Sequence, residues 1–344
     1  MATLTRSQVK KAGKILKELE LHSNEEIADA ENALTYWRTI HGKVISDFYK
    51  IVLSEVEKIN KEGYVVKRLK RGPSIIAKLR RNPNTQLTTM QDIAGIRAIM
   101  KNLNEVELLR ESLKKYAQIH EFKTYDNYIT NPKESGYRSI HLIYRYKNEG
   151  NIETNGLLIE IQIRSSLQHS WATAVETFST FIGSNLKFGE GKKNWLQCFA
   201  LISSAFAYLE GTPRVPGFTE LLREETFKKA INEYNCNQIE PNLSGFTIAA
   251  DAISKKGEKE GMYHILKLDI EKRILTISDY TFEKFEKANQ DYTELERLYS
   301  GNNMFQVVLV SSVSINELKE GFPNYFLDTR AFLSNMEKIR EETF

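Results

Sequence analysis

The sequence predicts an α/β (α+β) protein in which a mixed sheet is flanked by helices. Residues 6–60 carry apolar side chains at mostly helical spacing, which is typical of amphipathic helices. Residues 156–164 alternate aliphatic and polar side chains, as a strand with one buried face does. Alternating and helical segments start again after about residue 240, and they predict a small C-terminal α+β module.

The N-terminal segment predicts one long helix or two end-to-end helices packed on the sheet. Ser23 followed by Glu26 forms a capping-box pattern at the start of the longer stretch. Gly42 is the one glycine behind it, and no proline follows before residue 60. The apolar positions are Ile27, Leu34, Trp37, Ile40, Val44, Phe48, Ile51 and Val56.

A basic segment comes next. Seven basic residues and no acidic residue lie between positions 67 and 81. Residues 65–71 favour a strand that places Arg68 and Lys70 on one face.

Pro73 then suits the first turn of a helix, on which Ser74, Lys78 and Arg81 share a face. We expect the cations of the strand and of the helix to converge beside the free N–H groups of the helix N-terminus. Such a corner suits a polyphosphate, and a solvated basic face is the alternative.

Residues 89–100 predict a turn followed by a buried strand from about Ile96. Asp92 lies at the entrance of this strand, where a simple cap is the alternative role. Arg97 lies within the apolar strand, so it needs an anionic partner, either a phosphate or Glu160. A surface helix is expected over residues 104–116.

The next segment predicts a loop that enters a strand at residues 138–146, because Asn-Pro and Ser-Gly pairs mark a loop before it. Tyr137 and His141 share one face of this strand. A tyrosine at a glycine-hinged loop can stack on a nucleobase, and packing on the sheet is the alternative. The turn at residues 148–155 predicts a hairpin that brings this strand beside residues 156–164.

The strand at 156–164 has one aliphatic and one polar face. Glu160, Gln162 and Arg164 lie on the polar face, where buried charges are costly unless they are paired or bound to a ligand or metal. An edge strand with one solvated face is the alternative. The aliphatic face comprises Leu157, Ile159, Ile161 and Ile163.

Helices are predicted at residues 166–181, 193–210 and 217–235. The C-terminal module is expected to contain a hairpin at 264–277, a helix at 281–299, a strand at 305–310 and a helix at 328–342, after a linker at 241–245. The predicted domain boundaries are therefore 1–200, a helical connector at 201–240, and 241–344.

Composition excludes several classes. The chain of 344 residues is 41% hydrophobic and 27% charged, which is ordinary for a globular protein. A net charge of +3 is too small for a general nucleic-acid coat. Two cysteines make neither a disulfide scaffold nor a four-cysteine zinc site, so a reducing cytoplasm is expected. We expect no signal peptide and no membrane span.

The ordered motifs of the chain together resemble the RelA/SpoT synthetase domain over about residues 40–185. The motifs are Arg68-x-Lys70-x-x-x-Ser74-x-x-x-Lys78, Asp92-Ile-Ala-Gly-Ile-Arg97, Gly136-Tyr-Arg-Ser-Ile-His141, Glu160-Ile-Gln-Ile-Arg164 and Gln168-His-Ser-Trp171. The resemblance implies a nucleotidyltransferase-like fold and a pyrophosphokinase that moves the β,γ-pyrophosphate of ATP to a ribose 3′-hydroxyl.

The resemblance also implies roles for individual residues. Asp92 and Glu160 would hold Mg²⁺, Glu160 would accept a proton from the attacking hydroxyl, and Arg97 would neutralise the transferring group. The implied ATP-binding residues are Arg68, Lys70, Ser74, Lys78 and Arg81. The implied acceptor-binding residues are Tyr137, which stacks on the acceptor base, Lys133, His141 and Gln162.

No His-Asp dipeptide is present, so the resemblance implies synthesis without the hydrolase of bifunctional members. The layout is most similar to fused toxin–antitoxin synthetases of the CapRel type. This implies a C-terminal segment that inhibits the enzyme through Tyr325 until a phage protein releases it, and tRNA as acceptor. Two alternatives stay open: a synthetase that uses GDP or GTP with an allosteric C-terminal module, and a nucleotide-binding protein without turnover.

Overall fold

The computed structural model describes residues 3–182, 186, 191–240, 243, 262–269, 271–272, 274–299, 302, 304–312 and 329–343. Within these residues no helix has the length and apolarity needed to cross a bilayer.

The described residues contain the following helices and strands. The helices are α1 (Arg6–Ile15), α2 (Asn24–Ile59), α3 (Gly72–Arg81), α4 (Leu103–Lys114), α5 (Ser166–Ile182), α6 (Lys193–Glu210), α7 (Arg223–Cys236), α8 (Phe285–Leu298) and α9 (Arg330–Glu341). The strands are β1 (Tyr64–Leu69), β2 (Ala94–Met100), β3 (Glu121–Asn127), β4 (Ile140–Arg145), β5 (Leu158–Ser165), β6 (Met262–Asp269), β7 (Ile274–Thr281) and β8 (Phe305–Ser312).

The strands form a mixed sheet, which confirms the predicted fold class. Their order in the described part of the chain is β3-β4-β5-β2-β1-β8-β6-β7. β2 and β5 are parallel, whereas the other neighbouring strands are antiparallel. The three C-terminal strands do not form a sheet of their own, because β8 pairs with β1 at Arg68 and Val310.

One face of the first five strands is covered by the main hydrophobic core. The four aliphatic residues that alternate along residues 157–163 are all buried there, as their pattern predicts. The long helix α2 packs against this face with Trp37 and Phe48 in the core. The capping box of Ser23 and Glu26 is present at its first turn, and this confirms the predicted helix start.

A second core lies among α5, α6 and α7. The last helix, α9, packs against α5 and α7, and its residues Phe332, Met336 and Ile339 are buried in this core. The C-terminal segments are thus divided between the sheet and this helical layer. The predicted linker at 241–245 lies outside the described residues except for residue 243, and the predicted domain boundaries remain predictions.

Two elements differ from the sequence-based prediction. Strand β3 was not predicted, because it is an edge strand whose side chains are mostly exposed and lack an apolar run. Helix α7 begins at Arg223, six residues after the predicted start at 217, because the preceding segment contains a turn with Gly217 at φ 89°.

Gly136 positions the loop before β4 and gives a test of the packing there. Its φ is 90°, and a Cβ atom would lie 2.8 Å from Ser203 Cβ and 2.8 Å from Trp171 Cζ2. We expect Gly136→Ala to lower the free energy of unfolding by about 2 kcal/mol, as measured by denaturant titration. Gly150→Ala is the control, because its nearest atom is 3.6 Å away; we expect a change within about 0.5 kcal/mol. Equal effects would contradict this packing.

Candidate active site

A cleft opens on the polar face of the sheet. It lies on the side opposite the aliphatic residues of β5, so it is bordered by the strands and by α3. Its described lining is Val66, Arg68, Lys70, Lys78, Gln91, Asp92, Gly95, Ile96, Arg97, Asp126, Tyr128, Lys133, Tyr137, His141, Glu160 and Gln162.

The strand register explains why distant residues meet in this cleft. Paired residues on neighbouring strands place their side chains on the same face of a sheet. Across β4, β5, β2 and β1, one row is His141, Gln162, Arg97 and Val66, and the next row is Ile143, Glu160, Gly95 and Arg68. Gly95 has no side chain, so the floor of the cleft stays open between Glu160 and Arg68.

Asp92 is held by two lysines from different elements. Its Oδ2 lies 2.9 Å from Lys70 Nζ, at the end of β1, and its Oδ1 lies 2.9 Å from Lys78 Nζ, on α3. Burial would raise the pKa of Asp92, but the two lysines lower it below its ordinary value, while Glu160 opposes them. The predicted basic corner is therefore assembled around a carboxylate, which offsets part of its positive charge in this arrangement.

Glu160 contacts His141 on the neighbouring strand β4 and Gln162 on its own strand β5. Its Oε1 lies 2.9 Å from His141 Nδ1, and its Oε2 accepts a hydrogen bond of 2.8 Å from Gln162 Nε2. Burial opposes ionisation of Glu160, yet His141, Gln162 and Lys78 lower its pKa to about 2. Burial alone would lower the pKa of His141, whereas Tyr137 and Glu160 raise it above its ordinary value.

Tyr137 is not an open stacking platform. The residue is 3% exposed, and its hydroxyl lies 2.7 Å from His141 Nε2 and accepts a hydrogen bond of 2.8 Å from Arg164 Nη2. Lys133 Nζ lies 5.5 Å from its ring centroid and 4.2 Å from that of Tyr128. A base that stacked on Tyr137 would have to displace these neighbours. Tyr128, which sequence reasoning did not select, is the half-buried aromatic residue of this wall.

Arg97 lies in the floor of the cleft, and the carboxylate that favours its charge is not Glu160, one of the two partners expected. Burial and the nearby Arg164 lower the pKa of Arg97 to about 10, and the carboxylate that opposes them is Glu176 on α5. Glu176 could not be linked to Arg97 from local pattern, because it lies on a separate helix 79 positions away in sequence.

Two predicted site residues are not part of the described lining of the cleft, and a third lies outside the described residues. Ser74 and Arg81 are on α3, but only Lys78 of that helix lines the cleft. Tyr325 lies outside the described residues. The described part of the chain contains no group of three or more His, Cys, Asp or Glu residues that could hold a metal ion by itself. Asp92, Asp126 and Glu160 are the carboxylates of the described lining, and Asp92 and Glu160 influence each other electrostatically.

The part of the chain that lines the cleft matches the model of a known protein family. Residues 67–179 match the family model described as a region found in RelA / SpoT proteins. Residues 67–179 are therefore similar to RelA / SpoT proteins, and we call them the RelA/SpoT region. All residues that line the cleft, except Val66, fall within the RelA/SpoT region.

Similar proteins cover part of the chain. The GTP pyrophosphokinase YjbM of Bacillus subtilis is 35% identical over 127 residues, which are 36% of this chain and 59% of that protein. The GTP pyrophosphokinase YwaC of Bacillus subtilis is 30% identical over 136 residues, which are 38% of this chain and 62% of that protein. The chain thus spans about three fifths of the length of these two relatives.

Among solved structures, the small alarmone synthetase 1 from Bacillus subtilis bound to its product pppGpp is similar with a TM-score of 0.43. It is 25% identical, and the match covers 50% of this chain and 89% of that one.

The contact between His141 and Glu160 in the RelA/SpoT region has a measurable consequence. We expect the imidazole of His141 to titrate with a midpoint above its ordinary pKa of 6.5, as followed by NMR. Because the folded state binds this proton more tightly, the stabilisation is complete below pH 6.5 and is lost as the pH rises through the raised pKa. Glu160→Gln should lower the midpoint.

The control is Glu153→Gln, because Glu153 bonds to Thr3 and Tyr36 away from the cleft. A midpoint at or below 6.5 in the unsubstituted protein, or a shift as large in Glu153→Gln as in Glu160→Gln, would count against the described pair.

Proposed function

We propose that this protein is a pyrophosphokinase that transfers the β,γ-pyrophosphate of ATP to a ribose 3′-hydroxyl. The observation that carries the proposal is the Lys70–Asp92–Lys78 cluster, which faces Glu160 in the cleft of the RelA/SpoT region. The names of the relatives support the same reaction class.

The cations of the cleft would bind the triphosphate of ATP. Three of them, Arg68, Lys70 and Lys78, line the cleft. Ser74 and Arg81 lie on α3, the helix of Lys78, but outside the described lining. Lys70 and Lys78 are paired with Asp92 in the described form, so phosphate binding requires that these pairs exchange partners. Arg97, in the floor, would neutralise charge on the transferring group, where electrostatics supply most of the catalysis of phosphoryl transfer.

Asp92 and Glu160 fit Mg²⁺, which takes one or two carboxylates together with phosphate oxygens. Both side chains offer only oxygen ligands, and both border the cleft. The ion would supply charge neutralisation of the phosphates. With Asp92 drawn toward the ion, Lys70 and Lys78 would be released for the phosphate oxygens.

Glu160 suits the role of ligand and orienting group better than that of general base. A carboxylate whose pKa is about 2 is a weak proton acceptor at neutral pH. His141 bonds to it directly, so the proton affinity of the pair depends on both residues. The pair would contain a base with a pKa closer to neutrality only if the contact between His141 and Glu160 changed on substrate binding.

The acceptor would bind at the wall formed by Tyr137, Lys133, His141 and Gln162, with Tyr128 beside them. The relatives named GTP pyrophosphokinase support a guanine nucleotide as acceptor. The tRNA 3′ end, the activating phage protein and inhibition through Tyr325 rest on the sequence resemblance alone, and they remain predictions.

The transfer assay tests the reaction and the acceptor together. The protein is incubated with γ-labelled ATP, Mg²⁺ and either GDP, GTP or tRNA, and the labelled product is separated by size. We expect label on the acceptor, and a loss of at least about 100-fold in Asp92→Asn and in Glu160→Gln, because each replaces a carboxylate that would hold Mg²⁺.

Glu121→Gln is the matched control, because this exposed carboxylate pairs with Lys123 and Arg145 on the edge of the sheet. It should retain full transfer. Label on tRNA alone would select the toxin prediction, and label on GDP or GTP alone would select the alarmone synthetase. Full activity in Asp92→Asn would contradict the assigned metal and phosphate site.

A further inference from the structure

Helix α8 links the C-terminal part of the chain to α3, the helix that carries the proposed phosphate-binding residue Lys78. It lies along α2, where Phe285 packs on Gly42 and Asn289 Nδ2 donates a hydrogen bond of 2.8 Å to Thr39 Oγ1. Arg297 at its end pairs with Glu31 at 3.3 Å. These contacts place the last turn of α8 beside the N-terminus of α3.

Glu296, in this last turn, closes the N-terminus of α3. Its Oε1 accepts a hydrogen bond of 3.1 Å from the backbone N–H of Gly72, the first residue of α3. Helix α3 has no acidic residue in its first turn and no side-chain cap from Arg71. Free N–H groups at a helix N-terminus favour an anionic partner, so a residue 224 positions away supplies the missing cap.

Glu296 is also part of a buried ion pair with α2. Its side chain is 9% exposed, and its Oε2 lies 3.3 Å from Nη1 of Arg38, whose side chain is 2% exposed. Tyr292 donates its hydroxyl hydrogen to Glu296, and the guanidinium of Arg38 lies 4.7 Å from the ring centroid of Tyr292. Removing one partner of such a buried pair leaves an uncompensated charge, which is strongly destabilising.

The same arginine reaches the phosphate-binding segment. Arg38 Nε donates a hydrogen bond of 3.0 Å to the carbonyl oxygen of Lys70. The backbone N–H of Lys70 in turn donates to the carbonyl of Ile93, next to Asp92. Glu296 therefore reaches both ends of residues 70–72. It accepts a hydrogen bond from Gly72 directly, and it reaches Lys70 through Arg38.

We propose that Glu296 is a positioning residue of the ATP-phosphate site, which holds Lys70 and the Lys78 helix at Asp92. This inference rests on the proposed function. It makes the RelA/SpoT region dependent on a residue far outside residues 67–179.

The opposite role for this carboxylate is competition with the phosphates of ATP at the helix N-terminus. The geometry favours positioning, because Lys70, Lys78 and Asp92 line the cleft while Glu296, Arg38 and Gly72 are not part of its lining. A phosphate bound in the cleft would meet the lysines without displacing Glu296.

The test combines hydrogen exchange with binding of a non-hydrolysable ATP analogue in the presence of Mg²⁺. In Glu296→Ala, we expect the backbone amides between Gly72 and Lys78, other than Pro73, to exchange about fivefold faster, and the Kd of the analogue to rise about tenfold. Glu296→Gln keeps an oxygen that accepts from Gly72, so it should recover part of both effects. Glu294→Ala is the control on the same helix, because the side chain of Glu294 is exposed; neither quantity should change.

Each outcome decides a separate question. Tighter binding of the analogue in Glu296→Ala would show competition and overturn positioning. Unchanged exchange and unchanged binding would also overturn it. If the unsubstituted protein binds no analogue, the proposed function fails, and the exchange of residues 72–78 then reports by itself whether Glu296 orders α3. A melting temperature for each variant separates local effects from general unfolding.

Discussion

The pairing of Asp92 with Lys70 and Lys78 is the interaction on which the rest of the site depends. Asp92, Lys70 and Lys78 are half-buried, and charges withdrawn from water are costly unless they are paired. The three charges come from the turn before β2, the end of β1 and helix α3, so they can pair only when these elements are assembled. Under the proposed function, an anionic ligand would use the same cations that pair with Asp92 in the free protein. The ligand would replace Asp92 as their partner, and an ion bound to Asp92 would make that exchange easier.

The strand pairings of the sheet fix the positions of the charged residues in the cleft. Parallel pairing of β2 with β5 sets Glu160 opposite Gly95, and antiparallel pairing of β1 with β2 sets Arg68 opposite the same glycine. A shift of either pairing by one residue would point the side chains of the polar residues into the aliphatic core. The buried aliphatic face of β5 thus determines the position of Glu160. The wall of the cleft at Tyr137 has its own network, in which His141 joins Glu160 to Tyr137.

Local pattern was enough to predict much of this arrangement. The alternation along β5, the capping box at Ser23 and the entry of Asp92 into β2 each depend on residues close in sequence. What could not be predicted depends on distant contacts. The burial of Tyr137 results from Lys133, Arg164 and His141 together. The partner of Arg97 lies on another element, and β3 carries no apolar signal. The role of Glu296 follows from contacts with Gly72 and Arg38, 224 and 258 positions away, which no periodicity reveals.

The central claim is that Lys70, Lys78 and Asp92 form one phosphate and metal site. Calorimetric titration of a non-hydrolysable ATP analogue, with Mg²⁺ and with EDTA, measures this most directly. The account predicts binding that depends on Mg²⁺ and is weakened at least about tenfold by Lys78→Met, while Arg80→Met, on the exposed side of the same helix, binds normally. Equal binding by Lys78→Met and the unsubstituted protein, or affinity that is the same in Mg²⁺ and in EDTA, would contradict it.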